Sequence, residues 1–168
     1  MSHLLLPLIQ EFLADLLNCG LARSTINNYR CTLHKFTRLF CGPVLEINAG
    51  ILRRYLASVG GSPNNRARHF SNLKNFLNWC YRFEYITVNP ICKLETPRCH
   101  AYPPRPIPTA HLELIADAIK QAEPRVRLLF TLLLETGMRI RETLSIRFND
   151  IDLSPGEEKI IVRGKGDR

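Results

Sequence analysis

Along the N-terminal half of the chain, apolar side chains return every three or four positions in four separate runs, which predicts four amphipathic helices. The first covers roughly residues 5–18. Ile9, Phe12, Leu13, Leu16 and Leu17 share its apolar face, Pro7 suits a first turn, and Gly20 stops it. In the second, Ser24 is expected to cap a helix with Ile26, Tyr29, Leu33, Phe36 and Phe40 on one face, ending near Cys41-Gly42-Pro43. The third begins after Asn48, turns Leu52, Tyr55, Leu56 and Val59 inward, and ends at Gly60-Gly61. Ser62-Pro63, a cap followed by proline at the first helical position, opens the fourth. Its buried stripe is Phe70, Leu73, Leu77 and Cys80.

The opposite face of the fourth helix carries the first hint of chemistry. Arg68, Ser71, Asn75, Asn78 and Arg82 also step by three and four, Lys74 flanks them, and no acid follows until Glu84. A face meant only for water usually mixes both signs of charge. This one suits phosphates, with Ser and Asn as further hydrogen-bond donors. The second helix has a similar face of Asn27, Arg30, His34 and Arg38, with Thr25, Asn28, Thr32 and Lys35 beside it. Thr25, Asn27, Arg30, Arg66, Arg68, Ser71, Lys74, Asn75 and Arg82 are therefore the candidate DNA-binding side chains.

Charge sharpens the picture. The chain carries 23 Lys and Arg against 15 Asp and Glu, a net +8. Residues 1–100 hold 12 bases and 5 acids (+7), and residues 101–168 hold 11 and 10 (+1). A basic N-terminal half expects a polyanionic partner, most often nucleic acid.

"LETPRCHAYPPRPIP", residues 94–108, holds five prolines and predicts an extended, stiff connector. A domain boundary is placed there, giving domains at 1–93 and 109–168. Beyond it, Thr109 is expected to cap a helix with Leu112, Ile115, Ala116 and Ile119 inside. "PRVRLLFTLLLETG" predicts another, in which Val126, Leu129, Phe130 and Leu133 are deeply buried and which Gly137 ends. A third, roughly residues 138–147, is expected to carry Arg139, Arg141 and Arg147. Pro155-Gly156 is a turn, "KIIVR" a strand and "GKG" a hairpin turn, and the pairing strand is expected beyond residue 168. The fold class is mainly α: a four-helix domain, then a partial α+β domain of three helices and one or two short strands.

The six cysteines show no C-x-x-C spacing and read as reduced, mostly buried thiols. Cys99-His100 finds no second ligand pair, so neither metal nor other cofactor is expected. "HLLLPLIQEFLADLL" is interrupted by Gln10, Glu11 and Asp15 and lacks the marks of a membrane span or export signal. A cytoplasmic protein with no membrane partner is expected.

With "TGMRIRE", "FNDIDL", a strand and "GKG", the chain resembles the tyrosine recombinases, or phage-type integrases. The N-terminal part resembles that family's SAM-like core-binding domain through "STINNY", "RHFSNLK" and the exit "NPICKLETPR". The resemblance implies that Arg139 is the first catalytic arginine, that Lys165 in "VRGKG" protonates the leaving 5′-oxygen, and that Glu142 holds the Arg139 fork. It also implies a tyrosine that attacks the scissile phosphate to leave a 3′-phosphotyrosyl link, and work on double-stranded DNA alongside further protomers. The role of Arg141 is left open.

In the family an H-x-x-R motif, a further His or Trp and the nucleophilic tyrosine follow the hairpin. All five tyrosines here (Tyr29, Tyr55, Tyr81, Tyr85, Tyr102) precede Arg139, and His111 has no H-x-x-R context. The expectation is a truncated recombinase whose helical domain binds DNA and which cleaves none alone. Its partial second domain is expected to be marginally stable, with "LLFTLLL" partly exposed. The alternative is a non-catalytic helical DNA-binding regulator, or an adaptor that docks another protein.

Overall fold

The four apolar runs become α1 (Leu5–Asn18), α2 (Arg23–Thr37), α3 (Ala49–Ser58) and α4 (Pro63–Arg82). The computed structural model describes residues 4–99, 103 and 105–162. Two units, Met1–Tyr102 and Pro103–Arg168, emerge from the contact pattern and are described separately.

In the first unit the helices converge on one core. Ile9 and Phe12 of α1, Leu33 and Phe36 of α2, Leu52 and Tyr55 of α3, and Leu73, Phe76, Leu77 and Cys80 of α4 are all buried. Phe12 is the hub of the aromatic packing, edge-on to Phe76 at 5.4 Å and to Tyr29 and Trp79 at 5.6 Å. Burial of each large apolar side chain contributes roughly 1.5–3 kcal/mol. Val44 and Ile47, from the connection between α2 and α3, close the core.

Local chemistry sets several helix ends. Asn48 Oδ1 accepts the Ile51 N–H at 3.1 Å to start α3, and Ser62 Oγ accepts the Asn65 N–H at 3.3 Å to start α4. Gly20 ends the turn after α1 at φ +75°, a conformation that favours glycine. Ser24 does not cap α2: the helix begins one residue before it, with Ala22 at the cap and no side-chain bond. That helix also stops at Thr37, so Phe40 packs on the core from outside it. Leu17 is exposed because the buried stripe of α1 runs through Leu5 and Leu8 instead.

The cysteines are free thiols, but only Cys80 is buried, which corrects the expectation of mostly buried ones. Cys31 lies off the α2 stripe, and Cys19, Cys41, Cys92 and Cys99 fall outside the α-helices. Burial pushes the Cys80 thiol up to about 12, leaving it inert.

The second unit holds α5 (Thr109–Gln121), α6 (Pro124–Thr136), α7 (Ile140–Ser145), β1 (Ile151–Asp152) and β2 (Lys159–Ile160). Pro108, not Thr109, occupies the cap position of α5. The strands pair antiparallel, Ile151 with Ile160 and Asp152 with Lys159. The partner of "KIIVR" therefore lies upstream, across the turn with Gly156 at φ +84°. Two paired positions are too few for an alternating pattern to announce β1. The "GKG" turn lies outside the described residues.

No side chain of α5 or α6 is buried, which corrects the deep burial expected of α6. Val126 is 41% exposed and Phe130 42%, and within the same "LLFTLLL" stretch Leu128 reaches 62% and Leu134 56%. Helical periodicity marks an apolar face without saying whether anything covers it. Three helices and a minimal hairpin bury little surface. Trypsin is expected to cut first after exposed Arg98 and to spare Arg105, which precedes Pro106. The N-terminal fragment then persists while the C-terminal fragment is degraded, as followed by mass spectrometry. A C-terminal fragment as resistant as the N-terminal one contradicts this.

Candidate nucleic-acid interface and catalytic arginine

Buried polar groups must find partners, and here they are found where α2 crosses α4. Asn72 of α4 donates from Nδ2 to Thr32 Oγ1 at 2.8 Å and to the Asn28 carbonyl at 3.3 Å. The Tyr55 hydroxyl reaches in from α3, 3.0 Å from the Thr32 carbonyl and 2.7 Å from His69 Nδ1. A carbonyl can only accept, so the hydroxyl proton points to Thr32 and His69 Nδ1–H donates to the Tyr55 oxygen. His69 thus carries a proton on Nδ1. Burial lowers its pKa below the ordinary value, with the charges of Lys35 and Arg68 adding to the effect. Burial likewise pushes the Tyr55 phenol up to about 12.

The outer rim of this crossing is exposed and basic. Arg68, Ser71, Asn75 and Arg82 share one face of α4 and reach solvent with Lys74 beside them, and Asn27 and Arg30 of α2 are also exposed while Thr25 is half-buried; Arg66 is exposed on the other side of α4, in a groove with Arg53 and Leu56 of α3. Asn75 Nδ2 donates to the Tyr29 hydroxyl at 2.7 Å, joining the two helices on their outside. Arg68 Nη2 donates to Asn65 Oδ1 at 2.7 Å, and the Arg82 guanidinium sits 5.1 Å from the Phe83 ring centre. Asn78 is tied to Asn89 at 2.7 Å.

The expected face of α2 divides in two. Arg30 and His34 line a groove against α1 with Gln10, Leu13 and Leu17, whereas Asn28 and Lys35 border α4. Thr32, expected beside the exposed face, is only 2% exposed and belongs to the buried crossing. Among the described residues, the ion pairs are Lys120–Asp117, Arg139–Glu142 and Lys159–Asp152, so no Lys or Arg of α2 or α4 is neutralised by one. The carboxylates of α1 are occupied otherwise: Asp15 accepts from Trp79 Nε1 and Glu11 from the Tyr85 hydroxyl, both at 2.8 Å.

In the second unit, Gly137 closes α6 at φ +66°, and the chain turns so that Arg139 stands just before α7. Arg147 falls after α7, ahead of a one-turn helix at Phe148–Asp150, leaving Arg141 alone of the three inside the helix. Glu142 grips Arg139 at both ends. Its Oε2 accepts the Arg139 backbone N–H and its Oε1 the guanidinium Nη1–H, each at 2.8 Å. Those bonds hold the Glu142 carboxyl below its usual range. The Arg139 side chain is nevertheless 82% exposed, held in place yet open. The structure thus brings Arg139 and Glu142 together. Lys165 lies outside the described residues.

Tyr29, His69 and Asn72 belong to the polar contacts of this crossing, a place helical periodicity does not show: it sets Tyr29 on the apolar face and passes over His69 and Asn72. Their signal is subtle: polar-capable side chains set on or beside an apolar stripe, two of them one turn apart on α4. Among the described residues no group of His, Cys, Asp and Glu could hold a metal ion.

The lowered pKa of His69 gives a signed prediction. Its folded pKa lies below its unfolded value near 6.5. Above that pH both states are neutral and the residue adds no slope. As pH falls below it, the unfolded chain takes the proton first and stability drops, by at most about 1.4 kcal/mol per pH unit for one proton. Urea unfolding at pH 7 and pH 5.5 is expected to show this loss in the wild type and a shallower one in His69→Gln. Equal slopes contradict it.

The family model described as "Phage integrase, N-terminal SAM-like domain" matches residues 9–84, and "Phage integrase family" matches residues 107–168. Tyrosine recombinase XerD of Shewanella oneidensis is 26% identical over 96% of the chain, which covers 57% of that protein. Tyrosine recombinase XerD of Pseudomonas aeruginosa is 28% identical over 100% of the chain, covering 60% of that protein. The chain therefore spans little more than half the length of these relatives. A lambda integrase tetramer bound to a Holliday junction shares the fold with a TM-score of 0.82, at 17% identity, over 98% of this chain and 48% of that one. XerH site-specific recombinase bound to its palindromic difH substrate aligns with a TM-score of 0.66 at 24% identity, over 86% of this chain and 46% of that one.

Proposed function

The chain belongs to the phage-integrase family of tyrosine recombinases, and from that premise we propose that its first unit grips duplex DNA with the outer rims of α2 and α4. The cations Lys35, Arg68, Lys74 and Arg82, which form no ion pair among the described residues, carry this reading, with Arg30 and Arg66 exposed on the flanks toward α1 and α3. Basic side chains without acidic partners release counterions when they meet phosphates, which supplies sequence-independent affinity. Residues 1–93 form the core-binding domain, 94–108 the linker, and 109–168 the N-terminal part of the catalytic domain.

In the proposed reaction a tyrosine attacks the scissile phosphate, the P–O bond to the 5′-oxygen breaks, and a 3′-phosphotyrosyl link remains. Negative charge grows on the non-bridging oxygens. Arg139 meets it with a planar fork that never loses its proton. A donor fixed in this way is worth roughly 3–4 kcal/mol in an active site. Glu142 positions Arg139, and Lys165 gives its proton to the leaving 5′-oxygen. The partners are double-stranded DNA and further protomers, in the cytoplasm. No helix among the described residues is long and apolar enough to cross a membrane.

The 168-residue polypeptide by itself binds and does not cleave. In support, the hydroxyls of Tyr29, Tyr55 and Tyr85 are engaged by Asn75, by Thr32 with His69, and by Glu11.

Binding to a duplex of random sequence, measured at 50 and 200 mM salt, is expected to weaken by roughly 10³-fold if about six phosphates are contacted. Arg68→Ala and Lys74→Ala each weaken it further at either salt, and no covalent protein–DNA adduct survives denaturing electrophoresis. Affinity that is absent, or indifferent to salt, overturns the reading.

A further inference from the structure

We infer that Tyr29 and Asn75, hydrogen-bonded across the outside of the α2–α4 crossing, form a base-reading element that selects an adenine in the major groove. The inference rests on the DNA-binding reading above and adds sequence selection to it. Phosphate contacts position a protein on a duplex, and base edges specify the sequence.

The pair is built as a rigid reader. Asn75 is the exposed member, and its amide orientation is set by the 2.7 Å bond to Tyr29. Tyr29 is half-buried, and its ring stands edge-on to Phe12, the hub of the core, at 5.6 Å. One α4 turn before Asn75, the buried bonds of Asn72 to Thr32 and Asn28 fix the spacing of the two helices. The Asn75 amide is thus tied to the core through a short aromatic stalk, which leaves it little rotational freedom.

The chemistry of an asparagine so held is specific. Its side chain has two N–H donors and one carbonyl acceptor. One donor is spent on Tyr29. The other donor and Oδ1 match adenine, whose N7 accepts and whose exocyclic amine donates in the major groove. Guanine offers two acceptors there and gives Oδ1 nothing to accept from. Neighbouring Arg68 and Arg82, on the same side of α4, suit the flanking phosphates.

The test uses the full 168-residue chain and a pool of randomised duplex DNA. Wild type is expected to enrich a sequence with one position held as adenine. Replacing that base with 7-deazaadenine, which lacks the N7 acceptor and keeps the amine, should weaken wild-type binding by on the order of 2- to 10-fold, the loss of one of the pair's two hydrogen bonds. Asn75→Ala should lose the preference at that position alone, become indifferent to the deaza base, and keep the wild-type salt dependence. Tyr29→Phe keeps the ring against Phe12 and removes the clamp, so it should show a reduced preference. If Asn75→Ala enriches the same sequence with the same deaza sensitivity, or if wild type binds DNA and enriches nothing, the inference falls while the DNA-binding reading stands. If wild type binds no duplex at all, both fall.

Discussion

The buried hydrogen bonds at the crossing of α2 and α4 are the constraint from which the rest of the first unit follows. Thr32, Tyr55, His69 and Asn72 are polar groups in an otherwise apolar core, and each is satisfied by another. Apolar packing alone tolerates small shifts, because methylene groups have no preferred partner. Hydrogen bonds are directional, and leaving a buried donor or acceptor unmet costs about 1–3 kcal/mol. A slip of α4 along α2 would break several at once. The crossing therefore sets helix register as well as adhesion, and the outer residues inherit that register.

Electrostatics follows from the same placement. The basic side chains lie outside the crossing, and the carboxylates of α1 are spent on Trp79 and Tyr85. The cations of α2 and α4 are left to act on whatever approaches. The second unit is arranged differently. Its bases and acids nearly balance, and its ion pairs are formed. There Glu142 holds Arg139 at backbone and guanidinium together, which fixes one fork without hiding it. One unit spreads positive charge along two helices, and the other presents a single oriented donor.

Much of this was legible in the sequence, and the exceptions have physical causes. The four N-terminal helices, the caps at Asn48 and Ser62, and the acid-free face of α4 follow from three-and-four spacing and from side-chain chemistry. Spacing names a helix face without naming its neighbour. It therefore could not show that Arg30 and His34 border α1, or that Thr32 turns inward to meet Asn72. Tyr29 read as core because periodicity does not distinguish a ring from its hydroxyl. The burial expected of α6 failed for the reverse reason, since an apolar stripe is buried only where something covers it. The cap position of Arg139 and the pairing of β1 with β2 depend on turns whose effect is set by the chain on both sides.

The most direct test of the account is a backbone amide shift map of the 168-residue chain titrated with duplex DNA. The account predicts shifts gathered on α2 and α4, strongest around Tyr29, Lys35 and the Arg68–Arg82 stretch, with the α3 core positions Leu52 and Tyr55 quiet. Shifts gathered instead on the exposed apolar faces of α5 and α6, with α2 and α4 unmoved, would contradict it.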